Sequence, residues 1–418
     1  NRIEEHGLHI WAGFYDEPGR SPEAPLATWQ DAFKPHSYTT IEERVGDSYA
    51  FWYTDLPTND GVPGDGGEFP SLWDYVCMMI ESMIDTFKSH PLITQADAEP
   101  HHHILPEWLH SIVEECEDRL SNEGEKLGLF ARLRFHPGPA ANPAGASSLP
   151  APIENQAVAS GPDSSGNPRM RLLEAALKTA SSLPADPAQH PASHHKAVLW
   201  MLEEFMAWFK GRVEGEIEEH AELRHTYLRT DLIMAITRGI IGDELIFKGL
   251  DSIDGEEWSD WLRRHGASEF TLSSPLVRGL YDYVFAYLDG DTARRASAAG
   301  TNLYGLFRLM CTFKGAFFYK MQAGMGDTVF GPLYEVLKRR GVRFKFFHRV
   351  LSLGLSEDKN SIAEIRISRQ VNLKGGDYYP LFDVKGLPCW PSVPLYDQIV
   401  EGEELKSRKI DLESAWTP

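Results

Sequence analysis

Cysteine is scarce in this sequence. Cys77, Cys116, Cys311 and Cys389 are the only four in 418 residues, and no two stand in a Cys-x-x-Cys pair. That spacing argues against a disulfide frame or a zinc site, and for free thiols in a reducing, cytoplasmic setting. Long hydrophobic runs are missing as well. No stretch approaches the ~18 uninterrupted apolar residues that a membrane span needs, and the first residues lack the basic-then-apolar order of a signal peptide. Positive charge is in deficit: 41 Lys and Arg stand against 61 Asp and Glu, a net charge of −20 with a pI near 5.2. Such a balance repels phosphate backbones and dense anionic lipid surfaces alike, which argues against nucleic acid as a partner. Walker, protein-kinase and Gly-x-Ser-x-Gly signatures are also lacking.

What remains describes an ordinary globular chain, 42% hydrophobic and 24% charged, long enough for two or three domains. Residues 1–57 mix aromatics with turn formers and show no long periodic pattern. Asn59 to Gly67 is a loop by composition. Apolar positions 72, 76, 79, 80, 83, 84 and 87 predict one helix face, and Pro106 precedes a second helix over Glu107–Leu120. Pro, Ala, Gly, Ser and Asn dominate from Pro137 to about Pro168 and again from Pro184 to His195. These stretches predict a flexible linker or insertion, interrupted by a short helix at Arg169–Ser182. Beyond Lys196 the pattern is helical: a stripe of Val198, Leu199, Leu202, Phe205, Met206 and Phe209, then Leu232–Ile241, Glu257–Arg264, Pro275–Leu288 and Asn302–Met321. Gly324-Met325-Gly326-Asp327 then leads a short helix closed by Gly341. Val342–Leu355 and Ile362–Val371 predict two strands joined by a turn.

Two of these segments carry a family likeness. Glu4-Glu5-His6-Gly7-Leu8-His9-Ile10-Trp11-Ala12-Gly13-Phe14-Tyr15 resembles the segment that follows the dinucleotide-binding start of flavin-dependent desaturases and amine oxidoreductases. The block from Gly324 to Val371 is similar to a second segment of that superfamily, in which a Gly-rich turn, a helix and a Val-bearing strand precede a hairpin return. The resemblance implies an FAD cofactor, with Gly7, Leu8, His9, Gly13, Arg349 and Val350 on the cofactor side. It implies further that main-chain groups at Val350 lie against the adenine and that His9 donates toward the flavin's pyrimidine edge. For His9 a structural role beside Trp11 and Tyr15 competes, and as a catalytic base the structural role is preferred. Departures are plain. Asp16-Glu17-Pro18 stands where the family has Asn before an aromatic or aliphatic, no Gly-x-Gly-x-x-Gly precedes the first segment, and the family's C-terminal Gly-Asp is not found. The expectation is therefore an internal fragment of a larger flavoenzyme that binds FAD weakly or not at all by itself.

The resemblance implies an α+β (α/β flavoprotein type) fold, with FAD-binding-domain remnants and an inserted, mostly helical substrate domain. The boundaries drawn are 1–57 for the first FAD-domain segment, 58–136 helical, 137–195 linker, 196–323 helical substrate domain, 324–380 FAD-domain helix and hairpin, and 381–418 a loop-rich tail. The implied activity is hydride transfer from a substrate C–H bond to flavin, on a large apolar molecule of carotenoid or isoprenoid kind, with peripheral membrane contact as a means of collecting it. Trp200, Phe205, Trp208, Phe209, Phe313, Phe317 and Phe318 either line a tunnel for such a substrate or form plain core. A flavin amine oxidase is the alternative, although Lys385, in a Gly-Leu-Pro-Cys-Trp-Pro context, fits the lysine of that chemistry poorly. A further alternative is a di-metal helical bundle. Glu107/His110 and Glu222/His225 each have the i, i+3 spacing that puts two ligands on one helix face, a pattern that also arises by chance; His101-His102-His103 reads as a solvated loop. A non-catalytic binding module is the last alternative, and no metal ligand or catalytic residue is assigned.

Overall fold

The computed structural model describes residues 2–4, 13–15, 24–45, 48–63, 69–88, 90, 109, 111–113 and 167–413. Its strands, in chain order, are β1 (Arg2–Glu4), β2 (Phe33–His36), β3 (Tyr38–Val45), β4 (Ser48–Asp55), β5 (Phe318–Met321), β6 (His348–Leu355), β7 (Ile362–Arg369), β8 (Phe382–Val384) and β9 (Leu387–Cys389). Its helices of five or more residues are α1 (Leu72–Lys88), α2 (Pro168–Ser181), α3 (Ala192–Val213), α4 (Ala221–Gly242), α5 (Trp258–Arg264), α6 (Glu269–Ser273), α7 (Pro275–Val284), α8 (Ala299–Cys311), α9 (Gly331–Arg339) and α10 (Gly402–Arg408). The chain is thus a mixture of helices and small antiparallel sheets, an α+β composition. It divides into two compact units: 1–36 with 61–65 and 315–418, and 37–60 with 66–314.

The second unit is helical. Pro168 opens α2 where a missing N–H costs nothing, and the Asn167 side chain accepts from the Arg169 N–H at 2.8 Å. Glu257 caps α5 in the same manner through the Ser259 and Asp260 N–H groups. Helices α1 to α5, α7 and α8 pool their apolar faces in one core that includes Phe87, Phe205, Phe209, Trp258, Trp261 and Tyr281. Gly239 lies in α4 against the Trp261 ring, and a Cβ there would overlap the indole. The β3–β4 hairpin belongs to this unit and pairs from Tyr38↔Asp55 to Val45↔Ser48.

The first unit holds the three-stranded antiparallel sheet β1-β5-β2 and the hairpins β6–β7 and β8–β9. Its two cores are small. One gathers Tyr15, Ala32, Phe33, Ala316, Tyr319, Met321 and Val329; the other gathers Val371, Ile399 and Leu405.

Several local expectations change. Phe318–Met321 is a strand, not the end of a helix over 302–321: α8 stops at Cys311 and Gly315 turns the chain with φ +76°. The strand expected from Val342 begins only at His348, because Phe347 takes a left-handed φ of +59°. Pro184–His195 is no flexible linker. Pro187–Gln189 forms a 3-10 turn, α3 starts at Ala192, and His194 and His195 are buried. The hairpin at 38–55 lies in a region that showed no long pattern. Of the helix expected over 107–120, Leu109 and 111–113 are described and are helical; the linker at 137–166 lies outside the described residues.

Candidate functional site

In the first unit the chain crowds around Gly324–Leu337. A single π turn, Gly326–Phe330, runs directly into α9, an arrangement found often at functional sites. Thr328, fully buried, sends its hydroxyl back to the Gly324 carbonyl at 3.0 Å, while its own carbonyl accepts from the Tyr15 hydroxyl at 2.5 Å. Asp327 holds the other side: its carboxylate accepts the Trp390 N–H at 2.9 Å. Burial and the adjoining Asp327 carboxylate both push the Cys389 thiol pKa up. Gly326 suits this packing, since a Cβ there would lie about 3.0 Å from the Trp390 Cβ and press on it.

These contacts leave a half-open apolar cavity of about 230 Å³ lined by Gly326, Phe330, Leu333, Tyr334, Leu337, Phe344 and Trp390. Its walls are rings. Tyr334 meets Trp390 edge-on at 5.7 Å and 88°, and Phe344 closes on Tyr334 at 4.8 Å. Outside, Lys338 sits over the Tyr334 and Tyr379 rings at 5.6 and 4.6 Å. With no formal charge in its lining, the cavity suits a flat or branched apolar group.

Arg349 and Val350 lie on β6, with Val350 opposite Ile367 and a register irregularity just after it. Val350 is 59% exposed. Among the described residues β6 pairs only with β7, so its outer edge presents main-chain N–H and C=O groups to no neighbouring strand. Gly13 is an exposed turn residue with open space around it; Gly7, Leu8 and His9 lie outside the described residues. Lys385 forms the tip of the β8–β9 hairpin, in left-handed conformation beside Gly386.

The second unit places its polar residues differently. Glu43 on β3 is buried and receives Arg224 of α4 bidentately, Nε at 3.0 Å and Nη2 at 2.8 Å. Arg224 Nη1 also donates to the carbonyls of Ile217 and Glu218. His225 Nε2 stands 3.5 Å from the same carboxylate, and burial lowers its pKa although Glu43 opposes the shift. The histidine of the Glu222/His225 pair is therefore turned toward a strand carboxylate that an arginine already holds. Glu107, His110 and His101–His103 lie outside the described residues, and among the described residues no group of three His, Cys, Asp or Glu side chains could hold a metal ion.

The helix-borne aromatics fill the core. Phe205 and Phe209 are wholly buried and each closes on Phe87 at 4.8 Å, so this part of the stripe lines no open tunnel. Asp243 collects hydrogen bonds from Arg264, His265 and Trp261, which hold its carboxyl far below the usual range. Asp327, Tyr334, Phe344 and Trp390 were not singled out by sequence reasoning; only the Gly324-x-Gly326 spacing pointed near them. Among the described residues no helix is long and apolar enough to cross a membrane. No family model, curated protein or solved structure matches the chain.

Proposed function

We propose that the chain is the flavin-facing and substrate-binding portion of an FAD-dependent oxidoreductase acting on a large apolar molecule. The observation that supports this reading best is the Tyr15–Thr328 hydrogen bond, formed across 313 positions. It joins the two segments whose resemblance to flavoenzymes was independent in sequence, and the β6–β7 hairpin belongs to the same unit. The β6 edge also supports it: among the described residues no second strand pairs there, so main chain beside Val350 can meet a flat heterocycle without charged side chains. Bound flavin would supply the hydride acceptor. The chain's own contribution is positional, with the pinned Gly324–Thr328 turn fixing the aromatic cavity and the cavity excluding water from an apolar group.

Titration of the chain with FAD, followed by flavin fluorescence, tests the reading. Weak, saturable quenching that adenosine monophosphate competes away is expected, because the adenine edge is the part of the cofactor site that the residues fit. A flat titration removes the adenine contact at Val350 from the reading, and tight, stoichiometric retention of FAD overturns it. The substrate class is tested by anaerobic bleaching of the flavin with polyenes, squalene-type isoprenoids and amines; bleaching by amines alone would move the assignment to an amine oxidase.

A further inference from the structure

The β6–β7 hairpin has two unlike faces. Val350 pairs with Ile367, Leu353 with Ile365 and Leu355 with Ile362, while Arg349 pairs with Ser368, Ser352 with Arg366 and Gly354 with Glu364. The six aliphatic side chains of the first set are each 54–60% exposed, and Leu351 at the register shift is 62% exposed. A two-stranded hairpin is marginal by itself, and a contiguous aliphatic surface of this kind marks something that covers it.

Charge identifies the cover. The first unit carries 18 Lys and Arg against 20 Asp and Glu, leaving 23 against 41 in the second, so the chain's negative charge resides almost wholly in the helical unit. Within the first unit, Lys338, Arg339, Arg340, Arg343, Lys345 and Arg349 fall in twelve positions with no acidic residue, and His348 and Arg369 close the base of the hairpin opposite one another. Across 338–369 nine Lys and Arg stand against three Asp and Glu, with Arg366 paired to Glu364 and Lys345 to Asp377 at 3.5 Å. We propose that this hairpin is a membrane-docking element. Its Val, Leu and Ile face enters the acyl boundary of an anionic phospholipid surface, and the cations at its base meet the headgroups. Nucleic acid fits poorly, since the face carries no aromatic ring on which a base could stack. The overall charge of −20 does not report this site, because it sums two units of unlike charge balance.

Co-sedimentation with phosphatidylcholine vesicles, with and without phosphatidylserine, tests the proposal without flavin present, so it stands or falls apart from the oxidoreductase reading. Binding should require phosphatidylserine and weaken with salt. It should fall by roughly tenfold or more in the Arg343→Glu/Lys345→Glu variant and in Leu353→Asp/Ile365→Asp. All four positions are surface sites, and an unchanged circular-dichroism melt would show that fold is not the cause. Absence of binding to either vesicle, or binding indifferent to these substitutions, overturns the proposal. So does a dimer in light scattering that Leu353→Asp/Ile365→Asp dissociates while vesicles are ignored, since the cover would then be a second copy.

Discussion

The two units divide the same kinds of residue unequally between core and surface. The helical unit buries most of its aliphatic and aromatic side chains in one large core, leaving rings such as Tyr49, Phe51, Tyr53 and Phe285 exposed, and carries most of the chain's negative charge. The other unit has two small cores, is nearly neutral, and leaves the aliphatic face of its longest hairpin in solvent. On the reading proposed above, the large core supplies stability and the unit around Gly324 and the hairpin supplies recognition.

The sharpest way to break that contrast is to open the buried Glu43–Arg224 ion pair of the helical unit. Arg224→Ala leaves Glu43 buried with only His225 beside it, and should cost about 3–5 kcal/mol in urea unfolding. Replacing both partners by leucine should recover much of the loss, because two desolvated charges leave together. A single variant as stable as the wild type would show that the pair is dispensable and that the β3–β4 hairpin is held by other contacts.

Acid should also strike the helical unit first. His190 gives its Nε2–H to the Pro184 carbonyl at 2.7 Å, so its Nδ1 accepts from His195 Nε2 at 3.1 Å. Burial lowers the His195 pKa from 6.5 to about 4, and His190 and His194 add to the shift. The folded state thus takes up this proton later than the unfolded chain. Its contribution is complete above pH 6.5 and is lost as the pH falls toward 4. The loss should reach about 2–3 kcal/mol, at 1.36 kcal/mol per unit. Urea unfolding between pH 7 and 4 should show His195→Gln with a flatter slope than the wild type, and equal slopes would remove His195 from the account.

How far the sequence carried depended on whether a pattern was local. Helix α1 shows in the 3.6-residue spacing of Leu72 to Phe87, and α2 in the short helix expected over Arg169–Ser182, whose start at Pro168 with its Asn167 cap the structure adds. β7 was visible because Ile and polar residues alternate along it. Tertiary context decided the rest. Phe318–Met321 reads as the end of the helical run from Asn302 but lies between β1 and β2, and Phe347 interrupts an extended run through one left-handed residue. The site followed the same division. Gly324 and Gly326 stand out in the sequence, but Trp390 meets this turn from sixty residues away and Tyr15 from three hundred, each through a bond between a side chain of one segment and the main chain of the other that no local pattern encodes.

The smallest effect expected is the most telling about the comparison. Leu353 is as apolar as the leucines of the helical core, yet it is 54% exposed on β6 opposite Ile365. A residue that buries little on folding has little transfer free energy to lose, so Leu353→Ser should change unfolding stability by no more than about 0.5 kcal/mol. The same change at Leu202, which is wholly buried in α3, would leave a cavity and an unpaired hydroxyl, costing several-fold more. Parallel urea titrations of the two variants measure the difference. If Leu353→Ser proved as costly as Leu202→Ser, the hairpin face would already be buried in the folded chain, and the division between a stabilising unit and a recognising one would fall with it.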